Sequence, residues 1–196
     1  DVVIVGAGPA GLAAAIRIKQ LDAQLSVVVL EKGAEVGAHT LSGAVMDTRA
    51  LSELFPDWQE RGAPITQPVT SEEVLFLSEK SALPTPKLLL PDCLRNHGGY
   101  VISLGAVCKW LAQQAEALGV DVYPGFVADE VLFDAQNRVR GIATGHMGLS
   151  KDGQPSSDFQ LGMELLGKYT LFAEGAAHSA LPARCPVRPQ LLGNWY

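Results

Sequence analysis

The stretch Asp1-Val2-Val3-Ile4-Val5-Gly6-Ala7-Gly8-Pro9-Ala10-Gly11-Leu12 decides the fold of this chain. Residues 1–5 are a short apolar run that stops at Gly6, the pattern of a parallel strand buried on both faces. Residues 12–21 are rich in Ala, Leu and Ile and favour a helix. Pro9 suits the first helical position, where a missing N–H is no loss. Residues 26–30 are nearly continuous in Val and read as a second strand, with Glu31 at its end, 20 residues past Gly11. Strand, G-x-G-x-x-G, helix, strand and acid together make a dinucleotide-binding βαβ unit. In that unit Gly6 permits the tight turn, Gly8 lets backbone approach a pyrophosphate, and Gly11 allows close helix–strand packing. The helix start offers free N–H groups and a positive dipole end to phosphates. Glu31 is placed to accept hydrogen bonds from both ribose hydroxyls, and it repels a 2′-phosphate, which disfavours NADP.

FAD and NAD remain, and two features favour FAD. The motif stands at the start of the fold, and a second glycine-bearing loop, Gly37-Ala38-His39-Thr40-Leu41-Ser42-Gly43, follows Glu31. Its glycines would let backbone pass close to a flavin or its ribityl chain; an ordinary surface loop is the plainer alternative. Residues 33–45 are read as loop with room for a short helix. Residues 56–97 carry six prolines and a strand-like segment at 74–77, which suggests an extended, turn-rich β insertion. Helical spacing returns at Leu104, Val107, Leu111, Ala115 and Leu118, and Gly119 follows as the stop. Strands are expected at 120–123, 127–133 and 139–144, with a turn at 134–138 between the last two. A polar loop around Lys151 to Gly153 leads to a final strand at 169–173, running into Glu174-Gly175.

Bulk composition removes several function classes. The chain has 196 residues, 47% hydrophobic and 18% charged, which is globular rather than disordered. A net charge of −6 argues against nucleic acid, whose phosphates need an excess of Lys and Arg. No apolar run is long enough to span a bilayer, so any membrane contact is expected to be peripheral. Cys93, Cys108 and Cys185 lie far apart without a C-x-x-C pair, so metal or cluster ligation by this chain alone is not expected. An odd, sparse count also suits a reducing compartment. His39, His97, His146 and His178 do not approach metal spacing. Trp58, Trp110 and Trp195 read as packing residues. Neither a nucleophile–base pair nor paired catalytic carboxylates stand out, so redox chemistry would belong to the flavin.

The segments DVVIVGAGPAGL, EKGAEVGAHTLSG, ELFPDW, NHGGYVISLG, QAEALGVDVYPGF, VRGIATGHMG and KYTLFAEG resemble electron transfer flavoprotein–ubiquinone oxidoreductase of the bacterial type. The resemblance covers residues 1–175, and GAHTLSG with ELFPDW is more specific than the glycine motif. It implies an α/β, Rossmann-like FAD-binding domain of the glutathione-reductase type with a β-meander and an inserted α+β quinone-domain segment. The domain division expected is 1–55 for the first part of the FAD domain, 56–97 for the insertion, 98–175 for its second part, and 176–196 for an atypical tail. Carried over by position, Gly6, Ala7, Gly8, Pro9, Ala10, Gly11 and Glu31 would hold the ADP half, with Lys32 beside it. Gly37, Ala38, His39, Thr40, Leu41, Ser42 and Gly43 would run along the flavin. Val127 would open a meander that touches the adenine, and Ala173, Glu174 and Gly175 would close over the nucleotide. Ser103 stands where many such flavoproteins place an arginine near the cofactor.

The resemblance further implies electron transfer from reduced electron transfer flavoprotein to ubiquinone. It implies peripheral attachment to a bacterial cytoplasmic membrane, or to a mitochondrial inner membrane in a eukaryote. A four-iron four-sulfur cluster is expected only in a carboxy-terminal part that this chain does not contain. The run at 83–91, apolar and studded with proline, is expected to be either a membrane-touching hairpin or a buried turn. The chain begins directly on a strand without Met and reads as an amino-terminal excerpt. Periodicity is lost after Gly175, and residues 176–196 read as a frame-shifted or truncated end. Alternatives are another FAD-dependent reductase or monooxygenase of this architecture, or a non-catalytic fragment.

Overall fold

A computed structural model describes residues 1–40, 42–86, 90–91, 94–149 and 154–175. The first βαβ unit is β1 (Val2–Val5), α1 (Pro9–Leu21) and β2 (Val27–Glu31). There follow β3 (Ser42–Met46), α2 (Arg49–Leu54), β4 (Gln67–Pro68), β5 (Leu75–Leu77) and β6 (Ala82–Pro84). Then come β7 (Tyr100–Ser103), α3 (Leu104–Ala117), β8 (Asp121–Pro124), β9 (Ala128–Phe133) and β10 (Val139–Thr144). The last elements are β11 (Met147–Leu149), β12 (Pro155–Gln160), β13 (Glu164–Leu166) and β14 (Tyr169–Phe172).

The centre is a parallel sheet of the order β14-β1-β2-β8. Its register sets Val2 beside both Val27 and Tyr169, and Val5 beside both Leu30 and Phe172. Alternation along a strand covered on both faces explains why β1 and β2 are apolar up to Glu31. Val2, Ile4, Val27 and Val29 belong to one core with Leu12, Ala15 and Ile16 of α1 and Val107, Cys108, Leu111 and Ala115 of α3. Val3, Val5 and Leu30 belong to a second core with Ala128 and Ile142 of the antiparallel sheet β13-β10-β9. The meander therefore covers one face of the parallel sheet and the helices cover the other.

Local chemistry sets the ends of the helices. Lys19 of α1 is buried to its stem, and its Nζ donates to Ala23 O at 2.7 Å and Leu25 O at 3.0 Å. Helix α3 starts at Ser103, whose Oγ accepts from Ala106 N, and it stops at Gly119 with φ of 82°. The 134–138 turn is held by Asp134, whose Oδ1 accepts from the N–H groups of Gln136 and Arg138 at 2.9 Å. Those bonds and the Arg138 guanidinium hold the Asp134 carboxyl below its ordinary range.

Several elements depart from the sequence reading. Residues 42–46 are strand rather than loop, because β3 pairs antiparallel with β7 in the sheet β3-β7-β4. A hairpin lies at 75–84 and takes in the start of the 83–91 run, of which residues 87–89 lie outside the described residues. Its turn closes on Ser78 and Ser81: Ser78 N donates to Ser81 O at 2.8 Å, and the two hydroxyls lie 2.7 Å apart. Among the described residues, β8 belongs to the parallel sheet, whereas β9 and β10 form the meander. Strands β11, β12 and β13 and helix α2 were not anticipated. Trp58 and Trp110 are buried, with Trp58 Nε1 bonded to Ser52 Oγ and Trp110 Nε1 to Arg61 O. The readings of Lys151 to Gly153, Cys93, Trp195 and the 176–196 tail fall outside the described residues.

Ile142 is fully buried between the parallel sheet and the meander. Ile142→Ala is expected to lower unfolding free energy by about 2–5 kcal/mol, read from urea denaturation.

Candidate dinucleotide-binding site

A cavity of about 860 Å³ opens at the carboxyl ends of β1, β2 and β14. That is where a parallel sheet of this kind places its ligand, and the volume suits a large cofactor. Val5, Gly6, Leu30 and Glu31 contribute the strand ends, and Gly8, Pro9 and Ala10 the start of α1. Lys32, Gly37, His39 and Thr40 line a second side, Phe126, Val127 and Ala128 a third, and Ala173, Glu174 and Gly175 close the fourth.

The three motif glycines have different reasons to be glycine. A Cβ on Gly6, which has φ of 103°, would lie 2.6 Å from Ala173 O. One on Gly11 would collide with Gly6 O. Both positions are closed by the protein's own backbone. A Cβ on Gly8 meets nothing within 4 Å, because it would stand in the cavity itself. Gly8 is also the N-cap of α1, without a capping side chain and with no acid in the first turn. The first N–H of the helix to find a carbonyl is that of Leu12, on Gly8 O at 3.0 Å. The helix start is therefore left for an external anion, and the residues present fit a pyrophosphate.

Glu31 is half-buried and ties two loops together. Its Oε2 accepts from Ala7 N at 3.1 Å and its Oε1 from Gly33 N at 2.7 Å. A carboxylate offers about four acceptor positions, so two remain open to a donor in the cavity. The same corner is closed from the other side by Gly125 N on Gly33 O at 2.7 Å and Phe126 N on Glu31 O at 3.0 Å. Ala7 is itself buried and reaches the site only through this N–H.

The loop after β2 is turned by Ala38 N on Glu35 O and Thr40 N on Gly37 O. It brings Gly37, His39 and Thr40 to the cavity, whereas Ala38 is exposed and does not line it. Ser42 and Gly43 enter β3, and Leu41 lies outside the described residues. Ser103 does not reach the cavity: it is paired with Ser42 across β3 and β7, and its hydroxyl caps α3. Cys108 is buried behind the loop, and burial pushes its thiol up, against the opposing hydrogen bond with Thr40. It stays protonated and serves packing. Sequence reasoning missed Val5, Leu30, Phe126 and Ala128 as lining residues, although the apolar strands β1 and β2 were a usable signal for Val5 and Leu30.

Gly8→Ala is expected to leave the melting temperature nearly unchanged and to weaken ADP binding by calorimetry at least tenfold, by filling the phosphate seat. Gly6→Ala and Gly11→Ala are expected to destabilise the fold itself, seen as a lowered melting temperature without ligand.

Residues 4–57 match the family model of an NAD(P)-binding Rossmann-like domain. The chain is 57% identical over 181 residues to electron transfer flavoprotein-ubiquinone oxidoreductase of Pseudomonas aeruginosa, covering 89% of this chain and 33% of that protein. It is 55% identical over 180 residues to the mitochondrial protein of the same name from Bos taurus, covering 89% and 29%. The chain thus spans about a third of the length of the curated relatives it matches. Among known structures, a geranylgeranyl bacteriochlorophyll reductase-like protein of Thermoplasma acidophilum superposes with TM-score 0.60 at 22% identity, over 89% of this chain and 39% of that one. A myxobacterial chondrochloren halogenase, described as a variant of FAD-dependent halogenases, gives 0.58 at 18% identity, over 92% and 38%. These distant likenesses speak to the fold alone. The chain is a Rossmann-like α/β unit whose sequence relatives are electron transfer flavoprotein–ubiquinone oxidoreductases.

Proposed function

We propose that this chain holds FAD and acts within an enzyme that moves electrons from reduced electron transfer flavoprotein to ubiquinone. The observation that carries the reading is the cavity itself, in which an open Gly8 at a helix start stands beside an acid, Glu31, at the end of β2. The identity of 57% to an oxidoreductase of that name supports this reaction. FAD, when bound, would supply the electron-transfer chemistry. The chain's own residues seat and orient it: the start of α1 takes the pyrophosphate, Glu31 the adenosine ribose, and residues 126–128 the adenine. The loop from Gly37 to Thr40 flanks the flavin. A four-iron four-sulfur cluster belongs to the whole enzyme and to residues beyond this chain.

Ubiquinone is lipid-soluble, so the enzyme works at a membrane surface, peripherally on a bacterial cytoplasmic membrane or a mitochondrial inner membrane. Among the described residues no helix is long and apolar enough to cross a membrane. The β5–β6 hairpin supports surface contact, since Phe76, Leu77 and Leu83 are 70%, 77% and 65% exposed. An apolar hairpin held out to solvent is costly unless something covers it.

The 196-residue chain is expected to take up FAD in equal proportion and turn yellow, with ADP competing and NADP not. A chain that stays colourless after incubation with FAD overturns the reading. Phe76→Ser together with Leu77→Ser is expected to reduce co-sedimentation with phospholipid vesicles and leave FAD uptake unchanged.

A further inference from the structure

We propose that Gly105, on the first turn of α3 and outside the cavity, is a positioning residue for the flavin side of the site. The proposal rests on the FAD reading above. Gly37 and Gly105 meet backbone to backbone. A Cβ on Gly37 would lie 2.5 Å from Gly105 O, and a Cβ on Gly105 would lie 2.9 Å from Gly37 O. Close C···O approaches in proteins are ordinarily about 3.3 Å or longer, so neither residue has room for a side chain.

The two glycines are not equivalent. Gly37 has φ of 83°, which alone favours glycine. Gly105 sits within α3 and is not among the residues of positive φ, so its conformation gives no reason to prefer glycine over alanine, the better helix former. The reason lies across the gap, in the loop it faces. A further link joins the same helix face to the same loop. Lys109 Nζ is paired with Glu35 Oε2 at 2.9 Å, and Cys108, one turn along from Gly105, is buried. Positions 105, 108 and 109 are spaced i, i+3 and i+4 and form one stripe of α3. The stripe braces the loop from behind while His39 and Thr40 face the cavity from its front. The ADP side rests on other supports, the start of α1, Glu31 and residues 126–128. Crowding at Gly105 therefore displaces the flavin side and spares the ADP side.

The test compares FAD and ADP affinity by calorimetry in the 196-residue chain and in Gly105→Ala, together with the visible absorption of bound flavin. FAD affinity is expected to fall about tenfold with ADP affinity within twofold of the original, and the flavin band to shift in the variant. Retained ADP binding shows that the variant has folded. Equal loss for FAD and ADP, or no loss for either, overturns the proposal. Lys109→Met loosens the same brace without crowding it and is expected to weaken FAD about two- to threefold with ADP unchanged. If Gly105→Ala does not fold, an unchanged FAD affinity in Lys109→Met overturns the proposal by itself. Failure of the unsubstituted chain to bind FAD while it binds ADP overturns the FAD reading instead, a result distinct from these.

Discussion

The Glu31 carboxylate joins two loops that would otherwise diverge from the ends of β1 and β2, accepting one N–H from each, at Ala7 and at Gly33. Hydrogen bonds to an ionised acceptor contribute on the order of 1.5–3 kcal/mol each when sheltered, enough to fix loops of this length. Ala7 lies between the tight turn at Gly6 and the open position at Gly8, so its N–H sets how the phosphate seat faces the cavity. Gly33 begins the segment that carries Gly37, His39 and Thr40 to the opposite side. One side chain thus spaces the two halves of the rim, and the glycines at 6, 11, 37 and 105 let backbone come as close as that spacing requires.

The three motif glycines separate stability from recognition. Gly6 is walled by Ala173 and Gly11 by Gly6, and a methyl group at either meets main chain. Gly8 faces the open cavity, where a methyl group meets nothing. A site built in this way is pre-formed: the cost of arranging it is met on folding, by two cores on opposite faces of one sheet. Little reorganisation is left for binding.

Much of this was legible in the sequence because it is local. The βαβ unit announces itself through an apolar run, glycines at fixed offsets and an acid at the end of the second strand, and each signal needs only neighbours along the chain. The 104–117 helix was legible for the same reason, with its apolar positions at helical spacing and Gly119 as a stop. What stayed hidden is tertiary. Nothing adjacent to Gly105 explains it; the explanation is Gly37, on another element. Ser103 looked like a site position by analogy, yet a serine before an apolar helical run is also a plain N-cap, and that is its place here. The hairpin turn at 78–81 carries no Gly, Pro or Asn and is closed by two serine hydroxyls, a weak signal in sequence. Strand β3 is hidden because its glycine-bearing stretch has little strand propensity alone and gains its pairing from β7.

The register of β1 with β14, Val2 beside Tyr169, has a kinetic meaning. Nearly the whole described chain separates these partners, and Ala173, which walls Gly6, comes just after them. As the polypeptide leaves the ribosome, β1 waits for its outer neighbour on the order of ten seconds at ordinary elongation rates. During that wait one edge of an apolar strand is open to any passing strand, and the cavity has no far wall. High contact order of this kind slows folding and exposes nascent chains to aggregation. Strand β1 is thus enclosed late, and production of soluble protein depends on how well that edge is shielded until β14 has been made.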